Sequence, residues 1–167
     1  MKPQIYKVEL IGSGFLAVMA KPVSGEWIED EFQAIADEGI FQIVSLLEPH
    51  EAYDIGLQEE EKYAKKYQME FLSYPIQDRG VPESLTEYKK LTKNLYHEIA
   101  GGKNTVIHCR AGIGRTGVVA AGVLLHCGFE PKEAFEYISA KRNVQVPDTE
   151  EQVNWVISNF MEIVKST

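Results

Sequence analysis

The sequence predicts an α/β fold, a single domain over residues 1–167 whose central, mostly parallel sheet is flanked by helices on both faces. Segments with strand patterns alternate along the chain with segments of helical periodicity, the order that produces parallel sheets. The apolar run 40–47 is continuous rather than alternating, which is typical of a strand buried on both faces. With 167 residues and 44% hydrophobic content, the chain is long and apolar enough to form the core of one compact domain.

The first half of the chain contains four predicted strands and two predicted helices. Residues 5–10 and 15–19 form short strands on either side of a glycine-containing turn. Helical spacing of apolar residues predicts an amphipathic helix over 27–38. After the strand at 40–47 come the last two elements of this half: a helix over 54–68, rich in Glu, Lys and Gln on a solvated face, and a strand over 69–74.

The second half opens with a loop and is then mainly helical. Two prolines and a glycine leave residues 75–82 without regular structure. Helical spacing predicts a helix over 84–100, and a short buried strand follows at 105–108. The remaining chain predicts three helices: 116–127, ended by Gly128; 131–142, opened by Pro131; and a last helix that ends near residue 165, with Asp148 and Glu151 as its capping pair.

Charge and cysteine content narrow the classes of function. A formal net charge of −8 argues against a general nucleic-acid binder, which needs clustered Lys and Arg. No apolar run reaches the roughly 18 residues that cross a bilayer, and the first residues lack a secretory pattern. Two cysteines, Cys109 and Cys127, imply no disulfide framework, so we expect a cytoplasmic protein. The histidines lack ligand spacing, so we expect no metal and no other cofactor.

Segment 108–117 joins the end of a predicted strand to the start of a predicted helix through glycines. Its sequence is His-Cys-Arg-Ala-Gly-Ile-Gly-Arg-Thr-Gly. Glycines let successive backbone N–H groups point inward, and a helix start adds free donors and the positive end of its dipole. Such a P-loop cradle favours a phosphate dianion, and a guanidinium at its end can bind two phosphate oxygens side by side. The predicted phosphate-binding residues are Arg110, Ala111, Gly112, Ile113, Gly114 and Arg115.

Cys109 is the predicted nucleophile of this segment. A thiol at a helix start beside arginines favours the thiolate, which is therefore available at neutral pH. Attack on phosphorus would form a phosphocysteine intermediate that water later cleaves. Thr116 is expected to donate a hydrogen bond to the sulfur as it leaves, and His108, at the end of a buried strand, is expected to orient the loop.

Asp78 is the predicted general acid, because it lies on the loop 75–82 that follows a strand of the same sheet. The leaving oxygen needs a proton, and a carboxyl beside a phosphate dianion is suited to supply it. The same residue would then act as the base that activates the hydrolytic water.

These two segments resemble a known family. The pattern Cys-x-x-x-x-x-Arg, preceded by His108 and followed by Thr116, resembles the protein-tyrosine-phosphatase signature, and Ile-Gln-Asp-Arg-Gly-Val-Pro at 76–82 resembles its mobile acid loop. The size and element order are similar to those of small dual-specificity phosphatases. The resemblance implies a metal-independent enzyme that acts on phosphotyrosine, and also phosphoserine or phosphothreonine, in proteins; we expect it to be a monomer.

Two departures from the family pattern leave alternatives open. Arg110 stands where strict tyrosine phosphatases carry a small residue, which resembles phosphatases of multiply charged substrates such as phosphoinositides. The family's pair of water-positioning glutamines corresponds to Asp148 and Gln152, although Gln145 could take the first place in another register. A phosphoinositide phosphatase and a catalytically weak phospho-binding module are therefore the alternative functions.

Overall fold

The structure is a computed structural model that describes residues 2–166. Five strands and seven helices are formed within that range. In chain order they are β1 (Tyr6–Ile11), β2 (Gly14–Met19), α1 (Ile28–Asp37), β3 (Gln42–Ser45), α2 (Pro49–Asp54), α3 (Glu60–Lys66), β4 (Glu70–Ser73), α4 (Leu85–Ala100), β5 (Thr105–His108), α5 (Gly114–His126), α6 (Pro131–Arg142) and α7 (Glu150–Val164).

The five strands form one sheet in the order β1-β2-β5-β3-β4, which confirms the predicted α/β fold. Only the β1–β2 pair is antiparallel; β2, β5, β3 and β4 run parallel to their neighbours. Side chains alternate between the two faces: Leu16 and Val18 join one core cluster, whereas Ala17 and Met19 join the other. Helices α4 to α7 cover the first face, and α1 and α3 cover the second. Within residues 2–166, no helix combines the length and the apolar content needed to cross a bilayer.

The prediction of a single helix over 54–68 is wrong. Two short helices occupy this region, and the first begins at Pro49, well before the predicted start. Proline suits the first turn of a helix, where its missing N–H has no partner to lose. Gly56, with φ +76°, lies in the turn between the two helices, because this left-handed backbone would strain other residues.

The predicted cap of the last helix is also wrong, by one residue. Thr149, not Asp148, is the N-cap: its backbone is extended (φ −131°, ψ 155°), and its Oγ1 accepts a hydrogen bond from the N–H of Gln152 at 3.1 Å. Gln152, not Glu151, is therefore the third helical residue of this capping box. Because Gln152 is the third helical residue, its side chain reaches back to the N–H groups of Asp148 and Thr149.

Parallel strands bring their carboxyl ends to a common edge of the sheet. Strand β5 lies between β2 and β3, and β4 flanks β3, so the segments after β5, β3 and β4 emerge side by side. These segments are the predicted phosphate loop, helix α2 and the predicted acid loop. In open α/β sheets this edge is where ligands bind.

Candidate active site

The phosphate loop runs from Cys109 to Ile113, between the end of β5 and the start of α5. Gly112 has φ +74°, and a Cβ on it would collide with the backbone of Met19 and Ala20. Glycine is thus required both by the left-handed backbone and by the close approach to β2. On the outer side of the loop, the carbonyl oxygen of Arg110 accepts a hydrogen bond from the N–H of Lys21 at 3.0 Å. The loop is therefore fastened to the segment that follows β2.

The thiol of Cys109 is buried, with 3% of the residue exposed. The hydroxyl of Thr116, in the first turn of α5, donates a hydrogen bond to its Sγ at 3.0 Å. The second cysteine, Cys127, lies at the far end of the same helix, where burial raises the pKa of its thiol to about 11. Of the two cysteines, only Cys109 lies at the carboxyl edge of the sheet.

Arg115 is buried and is held by a carboxylate that the sequence did not indicate. Its Nη1 and Nη2 donate to the two carboxylate oxygens of Glu51 at 2.8 and 2.9 Å, and Nη1 also donates to the carbonyl oxygen of Ile76 at 3.0 Å. The hydrogen bond from Arg115 lowers the pKa of Glu51, which therefore stays ionised. Because Glu51 occupies the Nη1–Nη2 end of the guanidinium, the Nε–Nη2 edge is left for another anion.

Asp78 lies at this remaining edge of Arg115. One of its carboxylate oxygens is 3.2 Å from Nη2, and the side chain is 58% exposed. Asp78 and Arg79 occupy a tight turn in which the N–H of Gly80 donates to the carbonyl oxygen of Gln77 at 2.8 Å. Arg79 has φ +61°, a left-handed conformation that turns the chain sharply after the carboxylate. The turn thereby presents Asp78 to the mouth of the phosphate loop.

Gln152 is fully buried, and most of its amide is engaged by protein groups. Its Oε1 accepts hydrogen bonds from the N–H groups of Asp148 and Thr149 at 3.1 and 3.2 Å. Its Nε2 donates to the carbonyl oxygen of Gly80 at 3.0 Å, in the turn that carries Asp78. Gln145, the other predicted water-positioning residue, is exposed at the surface. The structure thus brings Gln152, but not Gln145, into contact with the acid loop.

His108 and Glu60 form a buried pair directly behind Cys109. The Nε2 of His108 is 2.5 Å from a carboxylate oxygen of Glu60, and its Nδ1 is 3.0 Å from the carbonyl oxygen of Cys109. Both partners accept hydrogen bonds, so both ring nitrogens must donate, which only the imidazolium can do. Burial disfavours this charge, but the attraction and the hydrogen bond of Glu60 outweigh it and raise the pKa of His108.

Replacing Glu60 by Gln is expected to lower the free energy of unfolding by about 3 kcal/mol at pH 5.5, because a buried charge loses its partner. The folded-state pKa of His108 is raised above the value of about 6.5 of an unfolded chain. The contribution of charged His108 to the free energy of unfolding is therefore complete below about pH 6.5. It is lost as the pH rises through the folded-state pKa. Urea denaturation at pH 5.5 and at pH 9 should show a smaller effect at the higher pH.

The matched control for this variant is Glu61→Gln, which removes the neighbouring, exposed carboxylate. We expect it to change the free energy of unfolding by less than about 0.5 kcal/mol at either pH. An equal loss at both pH values in Glu60→Gln would show that the histidine is not charged in the folded protein.

Glu51 and Glu60 are the two residues of this site that sequence reasoning missed. A signal existed for Glu51. The segment Glu48-Pro49-His50-Glu51 has a proline at the first helical position and a glutamate two residues later, which is the signature of a helix start. This helix start follows directly after the central strand β3. Glu60 carried no comparable signal, because it belongs to a run of four acidic and basic residues that is typical of a solvated helix face.

One family model matches the part of the chain that contains this site. Residues 17–129 match the family model Tc-R-P, described as "Polymorphic toxin system, DSP-PTPase phosphatase". The match spans more than half of the chain and includes the phosphate loop, Glu51 and the acid loop.

Individual proteins show the same similarity. Over 90 residues the chain is 30% identical to "Putative tyrosine phosphatase 197R" of Invertebrate iridescent virus 6; the match covers 52% of this chain and 32%, about a third, of that protein. The crystal structure of kinase associated phosphatase (KAP), with serine in place of its catalytic site cysteine, superposes with a TM-score of 0.87 at 20% identity, covering 98% of this chain and 97% of that one. PTPMT1 in complex with PI(5)P superposes with a TM-score of 0.76 at 20% identity, covering 95% and 96%. At these identities the solved structures establish the shared fold.

Proposed function

Because the chain belongs to the Tc-R-P family of DSP-PTPase phosphatases, we propose that it hydrolyses phosphomonoesters through a phosphocysteine intermediate on Cys109. One observation carries the proposal: the guanidinium of Arg115, at the end of the loop that carries the buried thiol, is held by Glu51 at its Nη1–Nη2 end and has the carboxylate of Asp78 3.2 Å from Nη2. Nucleophile, anion clamp and proton donor thus converge on one point at the carboxyl edge of the sheet.

Substrate binding begins with the phosphate dianion in the loop of residues 109–115. The backbone N–H groups of the loop and the start of α5 bind its equatorial oxygens, and the Nε–Nη2 edge of Arg115 binds two of them. Glu51 holds the opposite end of the guanidinium, so the clamp is oriented before the substrate arrives. The arriving phosphate competes with Asp78 for Nη2, which moves the carboxyl group from the arginine toward the leaving oxygen.

The reaction then proceeds in two displacements. The thiolate of Cys109 forms a bond to phosphorus while the bond from phosphorus to the leaving oxygen breaks, and protonated Asp78 gives its proton to that oxygen. In the second step Asp78 takes a proton from water, whose oxygen attacks phosphorus, and the sulfur–phosphorus bond breaks. Thr116, whose hydroxyl already donates to Sγ at 3.0 Å, stabilises the departing thiolate. The products are the alcohol or phenol and inorganic phosphate.

The test of this function is hydrolysis of p-nitrophenyl phosphate together with capture of the intermediate. Acid quenching during turnover of a ³²P-labelled phosphoester should yield protein-bound phosphate that survives denaturation and maps to Cys109. Vanadate should inhibit competitively, since it resembles the transferring phosphoryl group. Turnover without any covalent phosphoenzyme would contradict the proposed mechanism.

We propose that the substrates are phosphorylated proteins, with phosphotyrosine accepted and phosphoserine or phosphothreonine accepted as well. The support is the short chain around the site: the acid loop and α2 border the phosphate loop without long insertions that would deepen the pocket. We also propose that the protein is a monomer and that it lies in the cytoplasm, where reducing conditions would keep Cys109 a free thiol.

A phosphoinositide is the second candidate substrate. Arg110 is exposed on the phosphate loop, where its cation could bind a further phosphate of an inositol ring. PTPMT1, which shares this fold, has been crystallised in complex with PI(5)P. Parallel assays with phosphopeptides and with soluble phosphoinositides would show which class is hydrolysed with the higher kcat/KM.

Gln152 is proposed to hold the acid loop, because its Nε2 binds the carbonyl oxygen of Gly80 at 3.0 Å. Replacing it by Ala is expected to slow esters with poor leaving groups roughly tenfold more than esters with good ones, since only the former depend on a well-placed acid. The measurement is kcat/KM across a series of aryl phosphates of graded leaving-group pKa.

Thr149→Ala is the matched control for Gln152→Ala, because it weakens the same helix cap while keeping the contact with Gly80. It should not change the dependence on leaving group. If Gln152→Ala slowed kcat equally for all esters and phosphoenzyme accumulated, Gln152 would instead position the hydrolytic water.

A further inference from the structure

A groove on the surface of α6 and α7 begins beside the active site. Its first part is a cavity of about 280 Å³, formed by the segment between the two helices and the first turn of α7. A second cavity, of about 340 Å³, shares Gln145 and Val153 with the first and continues it along α6. We call the residues around the first cavity the acidic groove: Gln145, Pro147, Asp148, Thr149, Glu150 and Val153.

Close packing on α5 places the acidic groove at the active site. Gly114 opens that helix directly after the phosphate loop, and a Cβ on it would collide with the carboxylate of Asp148. One turn further on, a Cβ on Gly117 would collide with the side chain of Val146. The segment between α6 and α7 therefore lies directly on the start of α5, and the carboxylate of Asp148 lies against the residue that follows the phosphate loop.

The acidic groove is also joined to the acid loop. The side chain of Gln152 accepts hydrogen bonds from the N–H groups of Asp148 and Thr149. The same side chain donates to the carbonyl oxygen of Gly80 at 3.0 Å, in the turn that carries Asp78. Asp148 thus lies between this turn and the start of α5, so a substrate chain that leaves the site on this side passes over the acidic groove.

The charge of the acidic groove favours a cation. Asp148 and Glu150 are exposed, and among the residues that the structure describes neither carboxylate has an ion-pair partner. The wall of the second cavity adds one charge of each sign, Lys132 and Glu136, so two negative charges remain. A phosphate dianion in the phosphate loop is repelled by these carboxylates, and a positive charge on the same substrate offsets that repulsion.

We propose that the acidic groove binds a basic side chain of a phosphoprotein substrate, close in sequence to the residue whose phosphate lies in the phosphate loop. This inference rests on the function proposed above and narrows its protein substrates to those with an arginine or lysine beside the phosphorylated residue. A guanidinium donates two parallel hydrogen bonds to one carboxylate, which the exposed oxygens of Asp148 allow. The second cavity gives an extended peptide room to continue along α6.

A protein segment fits this groove better than a phosphoinositide does. The headgroup of a phosphoinositide bisphosphate and the surface of an anionic bilayer both carry negative charge, so Asp148 and Glu150 repel them. A peptide supplies the positive charge that these carboxylates lack. Its chain also has apolar groups for the half-buried side chain of Val153, where the two cavities join.

The experiment compares two matched phosphotyrosine peptides, one with arginine at a flanking position and one with citrulline, its uncharged analogue, at the same position. The position is varied over the three residues on each side of the phosphotyrosine. At the best position we expect the full chain to hydrolyse the arginine peptide with a kcat/KM about fivefold higher, the scale of one surface ion pair. Raising the salt concentration should weaken this preference.

Replacing Asp148 by Asn should reduce the preference to less than about twofold. The amide keeps the shape of the side chain over Gly114 and removes only its charge. The measured quantity is the ratio of kcat/KM between the two peptides, so an effect of the substitution on the reaction itself cancels. Glu150→Gln should also weaken the preference, and it tests the inference independently if Asp148→Asn does not fold.

Glu151→Gln is the matched control, since it removes an exposed carboxylate from the same turn of α7 but outside the acidic groove. It should keep the preference of the unaltered protein. Equal kcat/KM for both peptides at every position would overturn the inference, and so would an unchanged preference in both Asp148→Asn and Glu150→Gln. If Asp148→Asn slowed both peptides equally, its carboxylate would act in the reaction and not in substrate choice.

Hydrolysis of p-nitrophenyl phosphate separates this inference from the proposed function. The compound has no flanking residues, so its turnover tests only the phosphate loop and Asp78. If it is hydrolysed while the arginine and citrulline peptides are not distinguished, the acidic groove is not a substrate site and the phosphatase stands. If it is not hydrolysed at all, the proposed function itself is wrong.

Discussion

Replacing Cys109 by Ser is expected to abolish phosphatase activity, lowering kcat by about six orders of magnitude, the scale seen when an enzyme loses its nucleophile. A serine hydroxyl at this position would be far less ionised than a thiol, and the side chain that contacts the sulfur, the hydroxyl of Thr116, donates to Sγ and so does not take up the proton of a serine. The measurement is turnover of p-nitrophenyl phosphate by the purified variant.

The same variant should still bind phosphate analogues, because the loop backbone and Arg115 are unchanged. Calorimetric titration with vanadate or tungstate would measure this binding, and a loss of binding would mean that the loop had collapsed. Cys127→Ser is the matched control. The thiol of Cys127 donates a hydrogen bond to the carbonyl oxygen of Val123 within its own helix, so its replacement should leave kcat unchanged. Normal turnover in Cys109→Ser would exclude the phosphocysteine mechanism.

Replacing Asp78 by Asn is expected to have the second largest effect, a loss of about 10²-fold to 10⁴-fold in kcat for esters with poor leaving groups. The amide keeps the shape of the side chain but cannot give a proton to the leaving oxygen. Esters whose leaving groups are already stable as anions should be affected much less. Plotting log(kcat/KM) against the leaving-group pKa should therefore give a steeper negative slope in the variant.

Glu83→Gln is the matched control for Asp78→Asn, since it neutralises an exposed carboxylate just beyond the acid loop. It should leave the slope unchanged. An equal loss for good and poor leaving groups in Asp78→Asn would indicate that the residue acts through its contact with Arg115 rather than as an acid. Binding of vanadate would distinguish the two cases: affinity should stay the same or rise if Asp78 only competes with the anion for Nη2, and should fall if Asp78 is needed to position Arg115.

Local patterns in the sequence predicted most of the fold. Helix 84–100 and the strand at 105–108 were predicted at nearly the bounds observed, because each has a single dominant periodicity and a clear end signal. The helix bounds between residues 48 and 68 were predicted wrongly. In sequence, two short helices without a complete apolar stripe resemble one longer solvated helix. The true start at Pro49 depends on capping chemistry rather than on periodicity.

The sequence by itself determined the chemical groups of the candidate site. Cys109, Arg115 and Thr116 belong to one continuous segment, where the backbone alone sets their spacing, and the loop with Asp78 carries its own turn signals. Short-range geometry of this kind can be read from the order of residues.

Only the tertiary structure decided which partners hold those groups in place. Glu51 is 64 positions from Arg115, Glu60 is 48 from His108, and Gln152 is 72 from Gly80. The contact of Glu51 with Arg115 exists because the parallel strands β3 and β5 bring the segments that follow them to the same sheet edge, whereas Glu60 and Gln152 reach their partners because helices α3 and α7 pack beside that edge. Burial then removes water from these polar groups, so that hydrogen bonds and charge pairs between distant residues become necessary to satisfy them.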